Sequence, residues 1–76
     1  MKSISDNTMI MAIQGVQAEI RRIMRSVGGD ITELEPDDQE LLHSYSLAAM
    51  ELKTAYLAEC EEVPGLPAYE ALVPVN

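Results

Sequence analysis

Seventy-six residues with a net charge of −8 and a hydrophobic content of 47% describe one small domain, residues 1–76, too apolar for a disordered tail. A chain this short buries only about three-fifths of its unfolded surface, and such chains usually need disulfides, a metal or oligomerisation. One cysteine excludes an internal disulfide, and one cysteine with one histidine gives no basis for a metal site, which leaves self-association.

The first residues, Met1 to Asn7, lack the continuous apolar run of a signal peptide. No stretch approaches the roughly 18 apolar residues of a membrane span. With Cys60 unpaired, the expected compartment is a reducing cytoplasm. Ser5 or Asp6 can cap a first helix running to about Val27. Its apolar residues Met9, Ile13, Val16, Ile20, Ile23 and Val27 recur at alternating steps of four and three, a heptad seam widened by Ile10 and Met24. Ala12 and Gly15 lie to one side, where they would permit close backbone approach.

Gly28-Gly29 ends this helix, since glycine accepts the left-handed conformation that closes the last carbonyls. Asp30 to Glu35 is a connection containing a single turn over 32–35. Pro36 suits the first turn of a second helix, with Asp37, Asp38 and Glu40 at its positive end. That helix is expected over 36–62, stopped by Pro64-Gly65. A connection this short makes the two helices antiparallel neighbours. The fold class is therefore all-α: a two-helix hairpin with a proline-containing tail over 63–76, dimerising into a four-helix bundle. Pro67 opens a short turn through Leu72, and Leu66, Tyr69, Leu72, Val73 and Val75 are apolar enough to seek a surface.

Charge is unevenly placed. Residues 1–27 hold Lys2, Arg21, Arg22 and Arg25 against Asp6 and Glu19, whereas residues 28–76 hold Lys53 alone against eleven acids. The hairpin brings the Arg21–Arg25 end beside Asp37–Glu40, a match that sets register more than it stabilises. This polarity argues against nucleic-acid binding and leaves a basic protein partner open.

Catalytic constellations are absent from the pattern. His43 and Ser44 are adjacent on a helix and so point about 100° apart. Asp37/Asp38 and Glu61/Glu62 diverge likewise and read as solvated charge. Gly28-Gly29-Asp30 follows a helix rather than a strand and lacks the Lys-Ser/Thr of a phosphate loop. Cys60 reads as a small buried hydrophobe. No enzyme activity, cofactor or metal is expected.

The second helix has two apolar sides. Leu41/Leu42, Tyr45, Ala48/Ala49, Leu52, Tyr56 and Cys60 form the stripe that meets the first helix. Leu47, Met50 and Leu57, with Ala58 beside them, form another about half a turn away, and a second stripe asks for a second partner. Two occupants are possible. A second hairpin could pair there: each buried side chain contributes about 1.5–3 kcal/mol, against an association cost of about 4–15 kcal/mol. Ile4, Met11 or the tail would then have to join. Alternatively the tail could fold back, since ten extended residues reach about 33 Å. The candidate interface is thus Leu47, Met50, Leu57, Ala58, Leu66, Tyr69 and Leu72.

The plan of a short antiparallel hairpin is similar to that of small type III secretion needle subunits and their co-chaperones. The likeness is topological, involves no residue motif, and implies a secretion-system subunit or co-chaperone as one alternative function. A further alternative is an acidic decoy, with Asp30, Glu33, Glu35, Asp37, Asp38 and Glu40 filling the basic groove of a nucleic-acid-binding enzyme. The favoured reading is a non-enzymatic helical protein acting through self-association and protein–protein contact.

Overall fold

The computed structural model describes residues 4–73. Two long helices, α1 (Asp6–Ser26) and α2 (Pro36–Glu62), pack as an antiparallel hairpin. A 3-10 turn, Ile31–Glu33, lies in the connection, and a single-turn helix, α3 (Tyr69–Leu72), lies in the tail. At 1.5 Å per residue α2 is about 40 Å long, close to the 42 Å long axis of the molecule.

Local chemistry sets each boundary. The Ser5 Oγ accepts the Thr8 backbone N–H at 3.1 Å and caps α1. At the other end the Gly29 N–H donates to the Met24 carbonyl at 2.8 Å and the Gly28 N–H to that of Arg25 at 3.2 Å. This is a Schellman closure, and it needs the positive φ of Gly28 (63°), the residue after the cap; Gly29 continues at 88°. Val27 becomes the cap, so α1 ends one residue earlier than its seam suggests. The 3-10 turn also begins earlier than expected, at Ile31, because Asp30 caps it: Oδ1 accepts from both the N–H (3.0 Å) and the hydroxyl (2.6 Å) of Thr32. Pro36 opens α2, and the chain leaves helical geometry at Val63 before Pro64-Gly65.

The α1 seam is not uniformly deep. Met9, Ile13 and Ile23 are buried, but Val16, Ile20 and Val27 are only half-buried. The reason is the number of walls. In the middle two helices alone face each other, and Tyr45, Ala48 and Ala49 of α2 are also half-buried. Near the chain's open end the tail supplies a third wall, and Met9, Ile13, Tyr56 and Leu72 form one buried cluster. Gly15 departs from expectation. A Cβ there would meet nothing within 4 Å, so it faces open space and mediates no close approach.

Candidate interaction surface

The tail is held by specific contacts on the hairpin's inner side. Tyr56 is completely enclosed, and its hydroxyl donates to the Pro67 carbonyl at 2.5 Å. A buried phenol needs such a partner. Burial, followed by the neighbouring Cys60 and Asp6, pushes the Tyr56 pKa above the ordinary tyrosine value. Tyr69 sets its ring at 50° to that of Tyr56, with centroids 6.5 Å apart. The Lys53 ammonium, the only Lys or Arg after Arg25, lies 5.3 Å from the Tyr69 centroid, a cation–π contact. Leu66, Tyr69 and Val73 pack around the buried Leu72, with Ile10, Leu52 and Cys60 closing the cluster.

This placement divides the seven candidate interface residues. Leu72 is buried, and Leu66 and Tyr69 are half-buried, in the chain's own core. The tail therefore does not fold back over the second stripe as one expectation had it. Leu47, Met50 and Leu57 remain 48%, 67% and 46% exposed, with Ala58 exposed beside them. The physical reason is the Tyr56–Pro67 bond, which pulls the tail toward α1 immediately after the Pro64-Gly65 bend. Val75, also expected to seek a surface, lies outside the described residues.

Thr54 lies between Met50 and Leu57 in the outer row of α2, and its hydroxyl donates to the Met50 carbonyl at 3.1 Å. On α1, Ile4 and Met11 are also exposed, at 43% and 61%.

Toward the interhelical turn the same side of α2 leads into an open groove of about 540 Å3, lined by Ile31, Thr32, Leu34, Gln39, Leu42, His43 and Ser46. Leu34 is buried, Leu42 half-buried, and Ile31 is 52% exposed. The Gln39 side-chain amide donates to the Leu34 carbonyl at 2.9 Å, tying the turn to α2. Sequence reasoning missed this groove. The one available signal was the apolar pair Ile31 and Leu34, flanking a turn that has no room to bury both.

His43 and Ser44 are exposed, and so are Asp37, Asp38, Glu61 and Glu62. Arg22 pairs with Glu19 of its own helix at 2.8 Å, with both side chains largely exposed. Among the described residues no three potential metal ligands cluster, and no helix is long and apolar enough to cross a membrane.

Comparison with known proteins gives one consistent result. Residues 2–72 match a family described as T6SS, Immune protein Tsi2-like. The chain is 32% identical over 71 residues to Immune protein Tsi2 of Pseudomonas aeruginosa PAO1, covering 93% of this chain and 92% of that protein. No solved structure matches.

Proposed function

The chain belongs to the Tsi2-like family of T6SS immune proteins, and from that premise we propose that it protects its cell by binding and blocking a toxin. It does so without catalysis, through helix faces, in the cytoplasm. The observation that carries this reading is the match to an immune protein over 93% of the chain. An apolar row in helical register on a protein of this size is the kind of patch that has a partner.

Within this reading the outer row of α2 also joins two copies of the chain into a four-helix bundle. The thin middle of the hairpin supports self-association, since a second hairpin would add the wall it lacks. The acidic-decoy alternative survives as a special case, in which the blocked toxin acts on nucleic acid and the turn carboxylates occupy its basic groove.

The test is a survival assay. The type VI toxins of the bacterium that encodes this chain are expressed singly in a sensitive host, with and without it. Rescue by wild type from one toxin, together with co-purification of the two proteins, is the expected result. Failure to rescue or bind any of them contradicts the reading.

A further inference from the structure

The turn-end groove is apolar at its floor, open to its surroundings, and held in shape from both sides. Asp30 pins the start of the 3-10 turn through two hydrogen bonds from Thr32, itself a groove residue. Gln39 pins its end through the Leu34 carbonyl. Ile31 is thereby kept half-exposed on a short, fixed turn rather than folded into the core. A groove organised before binding costs less to fill than one that must order on contact.

The surroundings say what fills it. Asp30, Glu33, Glu35, Asp37, Asp38 and Glu40 are exposed around this turn, and no lysine or arginine occurs between Arg25 and Lys53. Two hydrogen bonds from Thr32 hold the Asp30 carboxyl below the usual carboxylate range, so it stays charged at neutral pH. The arginines of α1 do not line the groove. A second copy of this chain is a poor occupant, because it would bring five basic residues against thirteen acids of its own. A cationic surface is drawn in instead, and fixed dipoles and charges of one sign raise its association rate.

We infer that the groove lined by Ile31, Leu34, Leu42 and His43 is the seat for the toxin, taking one apolar side chain from a lysine- or arginine-bearing segment. This rests on the toxin-blocking reading and adds to it a location and a chemistry. The groove lies about 16 Å along α2 from the middle of the Leu47–Ala58 row, taking 1.5 Å per residue. One face therefore serves the second copy, and the end beside it serves the toxin.

The toxin that wild type neutralises in the survival assay is the probe, with affinity measured at about 0.05 and 0.5 M NaCl, where exposed charges are respectively felt and screened. Wild type is expected to bind at least about tenfold more weakly at high salt. Ile31→Asn weakens binding by about 10- to 30-fold at both salts, as loss of a central apolar contact does. Glu33→Lys weakens it by about tenfold at low salt and converges on wild type at high salt. Gln14→Ala, at an exposed position of α1 that does not line the groove, changes nothing, and all variants keep the wild-type melting temperature. Affinity of Ile31→Asn within about twofold of wild type overturns the groove, and an affinity indifferent to salt overturns the cationic partner. Loss of self-association in Ile31→Asn would assign the groove to a second copy and likewise overturn the proposal. If wild type binds no toxin, the immunity reading fails and this inference falls with it.

Discussion

Along α2, Leu52, Tyr56 and Cys60 look toward α1 and the tail, while Leu47, Met50 and Leu57 look away with about half or more of their surface open. Both rows are mainly apolar and follow helical spacing, steps of four along the first and of three and seven along the second. What separates them is a proline-bracketed tail of about ten residues and one phenol. Tyr56 is drawn under the tail by the Pro67 carbonyl, and that bond commits the tail to the inner side. The outer row is then left without a cover from its own chain. An apolar face is left exposed by elimination, once the segment long enough to cover it is tied elsewhere.

The largest expected effect tests the inner side of this comparison. Tyr56→Ala removes a fully enclosed ring and the latch together, and should cost about 3–5 kcal/mol. That is a large share of the stability of a domain this size, so the variant should be largely unfolded by circular dichroism at room temperature. A cooperative melt close to wild type would mean that the tail is not clamped.

Tyr56→Phe separates the ring from the latch. Losing the hydroxyl while keeping the packing should cost about 1 kcal/mol, read as a lower urea midpoint. It should also alter the alkaline limb of stability. Because burial raises the Tyr56 pKa in the folded chain, the unfolded chain ionises first. The contribution is complete below about pH 10 and is lost as pH rises through the folded value. The phenylalanine variant should lack that component. Equal alkaline slopes for the two proteins would contradict the burial-driven shift.

The smallest effect has the opposite sign. Gly15 faces open space on α1, so Gly15→Ala should stabilise by up to about 1 kcal/mol. A loss instead of a gain would show that something packs on that side. The same replacement at Gly28 should destabilise, because its φ of 63° belongs to the left-handed region.

The hairpin was legible in the sequence because its signals are local. A serine cap, a Gly-Gly stop, a Pro36 start and a heptad seam each act within a few residues, and the helices fall where those signals place them. The tail was harder. Its turn after Pro67 was readable, but its docking side depends on a hydrogen bond between residues eleven apart, which no periodicity encodes. Leu66, Tyr69 and Leu72 were therefore grouped with the outer row although they belong to the inner core. The groove was not legible at all, since it arises where Ile31 and Leu34 of the turn meet Leu42 and His43 of α2. Secretion was reached from topology, through a type III likeness, whereas the family match points to type VI immunity.

The exposure of the outer row makes mass in solution the most direct measurement. Light scattering after size exclusion should give wild type twice the 8.4 kDa chain mass, and Leu47→Asp the mass of a single chain. A substitution at a half-exposed position should change the stability of the hairpin itself by no more than about 0.5 kcal/mol. A wild-type monomer, with Leu47→Asp matching it in mass and melting temperature, would contradict the assignment of Leu47, Met50 and Leu57 as a working surface.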